Sequence, residues 1–146
     1  GTMACGGMLF IDYGYPRGEY YLPERGDGTL ICHYRHRVHA DYFLWPGLQD
    51  ITASVDFTAL AEAGVSAGFV LAGYCSQASF LLGNGLSDYI AEYERRADDI
   101  ACYREIQHIK KLMLPGEMGE RFQVMGFSKK IDFAAAFANA DLSYRL

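Results

Sequence analysis

Closely spaced cysteines and long apolar runs are both missing from this sequence. The four cysteines stand far apart and form no CxxC pair: Cys5, Cys32, Cys75 and Cys102. This spacing favours reduced, structural thiols over disulfides or a metal site, and with them a cytoplasmic compartment. No run reaches the roughly 20 apolar residues that a membrane span needs, and no signal-peptide pattern opens the chain. We therefore expect a soluble protein.

An excess of basic residues is also absent. The 13 Lys and Arg are outnumbered by 18 Asp and Glu, which leaves a formal net charge of −5. Because nucleic-acid binding relies on clustered positive charge, we expect neither DNA nor RNA as a partner. With 146 residues, of which 51% are hydrophobic, the chain can bury one core, so we expect one domain or a part of one.

The familiar catalytic and phosphate-binding loops are missing as well. Neither GxGxxG nor GxxxxGK[ST] occurs, so no dinucleotide or phosphate loop is expected in this chain. The GxSxG turn of α/β-hydrolases is approached at Gly73, but there Cys75 takes the nucleophile position and Gln77 replaces the second glycine. An unrelated hydrolytic domain is therefore only a weak alternative.

Three apolar runs are present, and each predicts a buried strand. They extend from Met8 to Tyr13, from Phe69 to Tyr74 and from Phe122 to Phe127. Continuous apolar runs of this length are typical of strands that are buried on both faces of a parallel sheet.

Helical patterns separate these strands. Asp56 predicts the N-cap of one helix, and two further helices are predicted from Leu86 to Tyr93 and from Asp99 to Leu114. In the tail, a short helix is predicted from Phe133 to Ala140. Strands that alternate with helices indicate an α/β fold.

The segment after the first strand has an unusual composition. Tyr15 to Asp27 is rich in Pro, Gly and Tyr and predicts an irregular excursion, whereas Thr29 to His39 alternates and predicts a strand or hairpin arm with one basic face. Arg35 and Arg37 on that face would point toward an acidic partner, a cofactor carboxylate or simply solvent.

A zinc site in this arm is conceivable from composition, because Cys and His are good zinc ligands. The candidates are Cys32, His33, His36 and His39. On a strand, however, His33 and His36 point to opposite faces and cannot converge on one ion. We therefore do not expect a metal site.

Polar residues at the ends of elements are candidates for function. Asp12, Tyr13 and Gly14 end the first strand, and open α/β sheets bind ligands beyond the carboxyl ends of their strands. A turn stabilised by an Asp carboxylate and a glycine backbone explains these residues equally well. Other polar candidates lie at boundaries where helix capping is the commoner role: Gln49, Asp50 and Glu117.

Several segments together resemble one family in their order and spacing. They are Phe10 to Gly14, Gly28 to Leu30, His33 to His39, Gln49 to Thr52, Val55 to Phe57 and Leu114 to Glu120. This combination resembles the MidA-like family of class I S-adenosylmethionine-dependent methyltransferases, whose mitochondrial members assist respiratory complex I assembly. The resemblance extends over residues 6–127.

The resemblance implies the C-terminal half of a class I, Rossmann-like methyltransferase sheet. The three strands would be its strands 5, 6 and 7, with the antiparallel seventh between the other two. Residues 1–127 would form this part of the domain, with residues 15–48 as an inserted hairpin and loop region and residues 128–146 as a tail. The family's glycine-rich cofactor loop precedes these strands. S-adenosylmethionine would therefore bind mostly upstream, without a metal, and this chain alone would be inactive.

The resemblance also implies roles for individual residues. The substrate would be a protein, with an arginine side chain as the best guess, and no covalent nucleophile is needed. Asp12 and Tyr13 would be the catalytic residues. The substrate side would be formed by Gly14, Tyr15, His33, Arg35, Gln49, Asp50 and Glu117. The implied compartment is the cytoplasm, or the mitochondrial matrix in a eukaryote.

Two further expectations concern partners. The alternative to an enzyme is a non-catalytic interaction or assembly module that docks a protein through the aromatic insertion, since tyrosines suit interfaces. In addition, the edge of the strand from Met8 to Tyr13 that is meant for a fourth strand would be bare. Such an edge favours a homodimer or a swapped assembly.

Overall fold

The elements of the computed structural model alternate between strands and helices. The structure describes residues 3–96 and 98–146, so the predicted start of the domain at residue 1 lies outside the described residues. None of the helices in these two ranges is long and apolar enough to cross a membrane. The elements are β1 (Gly6–Tyr15), α1 (Arg17–Tyr20), β2 (Ile31–Tyr34), β3 (Arg37–His39), β4 (Asp50–Thr52), β5 (Val55–Asp56), α2 (Phe57–Ser66), β6 (Val70–Ser76), α3 (Gln77–Gly83), α4 (Leu86–Arg96), α5 (Asp99–Met113), α6 (Met118–Arg121), β7 (Phe122–Lys129) and three 3₁₀ helices (Pro23–Arg25, Ala134–Phe137, Ser143–Arg145).

Four strands form the main sheet in the order β5-β1-β7-β6. β7 runs antiparallel to residues 6–13 of β1 and to residues 70–76 of β6. β1 and β6 are therefore parallel to each other and end at the same edge of the sheet. The α/β class is confirmed, and the third predicted strand does lie between the other two. Their ranks as strands 5, 6 and 7 of a larger sheet stay a prediction.

One face of this sheet is covered by α2. Phe57 of α2 packs with Tyr74, Met125 and Phe127 in a core cluster, and its own side chain is fully buried. The predicted N-cap of this helix is confirmed, because the Asp56 carboxylate accepts the Ala59 N–H at 3.0 Å. Asp56 thus fixes the start of α2, and α2 covers one face of the sheet.

The other face is covered by the tail. Phe137 packs against Val124 and Cys75, and its ring lies where a Cβ of Gly73 or Gly126 would be, 2.3 Å and 2.4 Å from those positions. Two glycines on neighbouring strands therefore make room for one ring, whose burial stabilises the fold by roughly 1.5–3 kcal/mol. The predicted helix in the tail is shorter than expected and is a single 3₁₀ turn.

The insertion forms a second sheet in the order β3-β2-β4. Arg35 and His36 form the turn between β2 and β3, with positive φ angles of 47° and 64°. His33 and His39 belong to adjacent cross-strand pairs, so their side chains point to opposite faces. The predicted single basic face is therefore wrong, because the turn interrupts the alternation.

β1 is more exposed than the sequence predicts. Leu9, Phe10 and Ile11 are 39%, 38% and 48% exposed. On the side away from β7, only Gly14 and Tyr15 pair with another strand of the described ranges, namely β5. The predicted burial of this strand on both faces is therefore wrong for this chain, and its edge over residues 8–12 is bare.

We expect the 146-residue chain to self-associate through this edge, because unpaired strand groups beside exposed apolar side chains can pair with another strand. Light scattering should show dimers or larger species, and Ile11→Lys should shift them toward monomer. Val38→Lys, at an exposed valine of β3, is the control and should leave assembly unchanged. A wild-type monomer, or equal effects of both variants, would show that β1 is not the contact.

Candidate active site

A cleft of about 1020 Å³ opens at the edge of the main sheet where β1 and β6 end. Tyr13, Gly14 and Tyr15 of β1 line it, together with Tyr74 and Ser76 of β6. Open α/β sheets bind their ligands at this kind of edge, beyond the carboxyl ends of parallel strands. The cleft is therefore the candidate active site.

Gly14 allows two strands to approach closely at the cleft. A Cβ at this position would lie 2.2 Å from the Val55 carbonyl oxygen and 2.8 Å from the Phe57 ring. Glycine is thus required for β5 to pair with the end of β1. Directly after β1, the Arg17 N–H donates to the Thr58 hydroxyl at 2.8 Å, which fixes α1 against α2.

Charged side chains of both signs line the cleft. Glu19, Asp50 and Glu120 supply carboxylates, and Arg121 and Arg145 supply guanidinium groups. Arg145 forms an ion pair with Glu19, in which the two side chains are 46% and 41% exposed. Within the part of the chain that the structure describes, neither Asp50 nor Glu120 has an ion-pair partner. Two carboxylates are therefore free to attract a cation.

Residues 141–146, which we call the strap, bind along the outer edge of β6. The Tyr74 N–H donates to the Asp141 carboxylate at 3.0 Å, and the Tyr74 carbonyl accepts from the Leu142 N–H at 2.6 Å. Ser143 donates to the same carboxylate through its N–H and its hydroxyl. Burial opposes ionisation of Asp141, but these hydrogen bonds outweigh it and hold the pKa of Asp141 below its usual value.

We expect the strap to loosen in acid. A carboxyl whose pKa is lowered in the fold contributes stability above its unfolded pKa, here 3.8, and that contribution is lost as the pH falls through the lower folded value. Hydrogen-exchange protection of the Tyr74 and Leu142 amides should therefore fall below pH 3.8. Asp141→Asn keeps an acceptor oxygen but loses the charge that strengthens all three hydrogen bonds, so it should lower this protection already at neutral pH.

Asp132→Asn is the control for this experiment, because the Asp132 carboxylate also accepts a local backbone N–H, that of Ala134, outside the strap. It should leave protection at Tyr74 unchanged. Full protection at Tyr74 in Asp141→Asn would show that the carboxylate does not hold the strap.

The hydrolase-like segment does not present a nucleophile to the cleft. Cys75 is 1% exposed, and burial raises the pKa of its thiol to about 11, so the thiol stays protonated at neutral pH. Ser76 lines the cleft, but its hydroxyl oxygen accepts the Ser79 N–H as the N-cap of α3. Both residues have structural roles, and the geometry gives the hydrolase alternative no support.

Five of the residues expected from the sequence line the cleft: Tyr13, Gly14, Tyr15, His33 and Asp50. Four lie outside its lining: Asp12, Arg35, Gln49 and Glu117. The Asp12 carboxylate accepts the Tyr13 N–H at 2.8 Å, and the Gln49 amide donates to the Tyr42 carbonyl at 2.7 Å. Glu117 directly precedes α6, which carries Glu120 into the cleft. The roles of these residues stay predictions.

Sequence reasoning missed four charged residues of the cleft: Glu19, Glu120, Arg121 and Arg145. Glu120 ends one of the segments that carry the family resemblance, and this position is the signal that could have identified it as a site residue. Glu19 and Arg145 are 126 positions apart, and no pattern along the chain connects them.

The described residues provide no complete cradle for S-adenosylmethionine. α2 and α3 follow their strands directly, and in each helix one amide of the first turn, that of Ala59 or Ser79, donates to the capping side chain of Asp56 or Ser76. Residues 3–96 and 98–146 contain no glycine-rich loop before a helix N-terminus. Phosphate-binding and dinucleotide-binding sites use that arrangement. We therefore assign no cofactor contact to this chain. Nor do the described parts contain a group of three His, Cys, Asp or Glu that could hold a metal ion.

Comparison with sequence families gives a match over residues 1–75, which are 75 of the 146 residues. The family is described as "Putative S-adenosyl-L-methionine-dependent methyltransferase". Among curated proteins, the mitochondrial protein arginine methyltransferase NDUFAF7 of Danio rerio is 32% identical over 122 residues, which is 81% of this chain and 26% of that protein.

Two crystal structures of proteins from Burkholderia thailandensis are similar to this chain. One, of an "uncharacterized" protein, has a TM-score of 0.90 and 51% identity, and covers 98% of this chain and 38% of its own. The other, of a "likely methyl transferase" bound to S-adenosyl-homocysteine, has a TM-score of 0.88 and 50% identity, and covers 97% of this chain and 36% of its own. The chain spans less than two fifths of each of these relatives. The resemblance to MidA-like proteins is confirmed, and the chain belongs to this family of S-adenosyl-L-methionine-dependent methyltransferases.

Proposed function

We propose that this chain forms the substrate side of a methyltransferase whose methyl acceptor is an arginine side chain of a protein. The cleft carries this proposal, because it lies at the carboxyl ends of β1 and β6 and contains the carboxylates of Asp50 and Glu120, which form no ion pair with any described residue. Carboxylates bind guanidinium groups through paired, charge-assisted hydrogen bonds. The relative from Danio rerio, which is named as an arginine methyltransferase, supports the same acceptor.

The chemistry that remains for the protein is alignment and proton removal. The family's cofactor supplies a methyl group that its sulfonium already activates, so no covalent nucleophile is required. The acceptor nitrogen must be held in line, and its proton must leave, because the pKa of a guanidinium lies far above neutral pH and the group stays charged there. A carboxylate close to the acceptor can serve both needs.

Asp12 and Tyr13 are proposed to act on the acceptor from the end of β1. The Tyr13 ring packs edge-on against Phe122 with centroids 5.6 Å apart, which fixes it at the cleft. Asp12 is anchored by the Tyr13 N–H beside the bare edge of β1. We assign Tyr13, which lines the cleft, the orientation of the acceptor. Asp12 lies outside the cleft lining, and we assign it the acceptance of the proton, which requires that the acceptor nitrogen extend over the end of β1.

The cofactor, on this proposal, binds mostly to residues outside this chain. The relative that holds S-adenosyl-homocysteine aligns over 36% of its own length. The bare edge of β1 would then be the place where the rest of a larger sheet adds, and β1, β6 and β7 would be its strands 5, 6 and 7. In the whole protein this edge would be paired.

Methyl transfer by the whole protein tests this function. With isotope-labelled S-adenosylmethionine, a peptide with a central arginine should gain a methyl group on its guanidinium, as located by mass spectrometry. Matched peptides with lysine or citrulline at that position should gain none. Transfer to lysine alone would refute the acceptor, and the absence of transfer to any peptide or protein would refute the enzyme.

Exposed apolar side chains in the loop between β3 and β4 favour a second candidate function. Tyr42, Phe43, Leu44 and Leu48 of this loop are all exposed, Phe43 by 74% and Leu48 by 69%. A group of exposed apolar side chains in one segment favours an interaction site. The chain would then be a module that docks a protein through this loop. In complementation of a deletion strain, this alternative predicts failure of Phe43→Ser with Leu48→Ser and success of Asp12→Asn. The methyltransferase proposal predicts that Asp12→Asn fails.

A further inference from the structure

A guanidinium of the chain itself lies against a carboxylate in the cleft. Arg145, in the 3₁₀ helix of the strap, forms an ion pair with Glu19 of α1. Both side chains line the cleft that also contains Asp50 and Glu120. The structure therefore shows directly that this cleft accommodates an arginine head group.

The surroundings of Glu19 suit guanidinium groups in particular. A second one, from Arg25, donates to the Glu19 carbonyl oxygen and lies over the Tyr15 ring, with its Cζ 4.0 Å from the ring centroid. Tyr15 lines the cleft as Glu19 does. A carboxylate, a carbonyl oxygen and an aromatic face are groups that bind the planar guanidinium better than the compact ammonium of lysine. Because Arg25 already occupies the carbonyl oxygen and the ring, the Glu19 carboxylate is the group of this corner that an incoming guanidinium can bind.

Arg145 is placed at Glu19 by the strap more than by the ion pair. The strap is bound to β6 through Asp141 and Leu142, whereas the ion pair is nearly half exposed. Exposed pairs of this kind change an equilibrium constant by no more than about fivefold. An incoming guanidinium can therefore replace Arg145 on Glu19 while the strap stays bound.

Building on the proposed function, we infer that Glu19 is the carboxylate that receives the substrate arginine, and that Arg145 occupies its place until the substrate displaces it. Asp50 and Glu120 contribute the negative potential that draws the cation into the cleft. Arg145 then raises the KM for arginine substrates and leaves kcat unchanged. Glu19 determines the preference for arginine over uncharged side chains.

Binding of N-acetyl-arginine methylamide to the whole protein tests this inference, with the uncharged citrulline analogue as the reference ligand. By calorimetry, Arg145→Ala should bind the arginine probe about threefold more tightly, since an internal competitor is removed, and should lower KM by the same factor. Glu19→Gln should bind it up to about fivefold more weakly and lose the preference over citrulline, because an exposed carboxylate–guanidinium pair is lost.

Glu62→Gln is the matched control, because Glu62 forms a comparable exposed ion pair with Arg17 outside the cleft lining. It should change neither the affinity for the arginine probe nor the KM. Weaker binding by Arg145→Ala would show that Arg145 orients Glu19 instead of occupying its site. Unchanged binding by Glu19→Gln would show that the guanidinium binds elsewhere. Either result overturns the inference.

The binding readout separates this inference from the proposed function. Variants that follow the expected pattern in a protein that transfers no methyl group would refute the methyltransferase and leave the guanidinium site in place. Methyl transfer to arginine that neither variant alters would refute the roles of Glu19 and Arg145 and leave the enzyme in place.

Discussion

Asp12→Asn in the whole protein is expected to lower methyl transfer to arginine peptides by at least about a hundredfold, the usual effect of removing a general base. The change removes the charge and the proton-accepting oxygen. The remaining amide oxygen of Asn can still accept the Tyr13 N–H that Asp12 accepts at 2.8 Å, so the end of β1 should keep its shape. Affinity for S-adenosylmethionine should therefore stay nearly unchanged. Single-turnover kinetics beside calorimetry measure the two quantities.

Asp88→Asn is the control for this loss, because Asp88 lies in the first turn of α4 and outside the cleft lining. It should transfer methyl groups at the wild-type rate. Wild-type turnover of Asp12→Asn would show that Asp12 does not accept the proton, and Asp50 or Glu120 would then be the proton acceptor. A parallel loss of cofactor affinity would show that Asp12 contacts the cofactor.

Gly14→Ala is expected to destabilise the fold by about 3 kcal/mol or more, at the upper end for overpacking of a core. The new Cβ would lie 2.2 Å from the Val55 carbonyl oxygen and 2.8 Å from the Phe57 ring. Phe57 is fully buried, and the Val55 backbone belongs to the pairing of β5 with β1. To relieve the contact, β5 and the start of α2 must shift, and the wall of the cleft shifts with them.

The same substitution four residues later should have the opposite sign. A Cβ at Gly18 would meet nothing within 4 Å, and Gly18 lies in α1. Replacing a helical glycine by alanine stabilises by roughly 0.5–1 kcal/mol, because the unfolded chain loses freedom. Urea unfolding of the two variants beside the wild type measures this contrast. Equal midpoints for Gly14→Ala and the wild type would show that β5 adapts freely.

The strands could be predicted from the sequence because the apolar runs that mark them are local. Each of the three predicted runs overlaps an observed strand with ends that differ by two residues or fewer. Apolar side chains mark such segments, whereas pairing also continues through Gly6, Gly7 and Gly14, which carry no hydrophobic signal. The order of the strands came from the family resemblance, since no local pattern determines which strands pair.

The errors have physical causes that the sequence conceals. The turn at Arg35 and His36 has positive φ without the glycine or asparagine that usually marks it, so the alternation appeared continuous. The exposure of β1 depends on whether another strand lies beside residues 8–13. The apolar run itself is the same whether that strand is present or absent. Burial is a property of the assembled sheet.

The candidate site was predictable only in part, for the same reason. Tyr13, Gly14 and Tyr15 follow a recognisable strand, and a general rule places ligands there. The pair of Glu19 and Arg145 instead depends on the docking of a tail whose anchor, Phe137, fits between glycines of two strands. Long-range packing of this kind leaves no periodic trace in one sequence.

Calorimetric titration of S-adenosylmethionine, into the whole protein and in parallel into the 146-residue chain, tests most directly whether this chain is the substrate side of a methyltransferase. The whole protein should bind the cofactor in the micromolar to millimolar range that is usual for enzyme ligands, and the 146-residue chain should show no measurable heat of binding. A whole protein that does not bind S-adenosylmethionine, or a 146-residue chain that binds it equally well, would contradict this account.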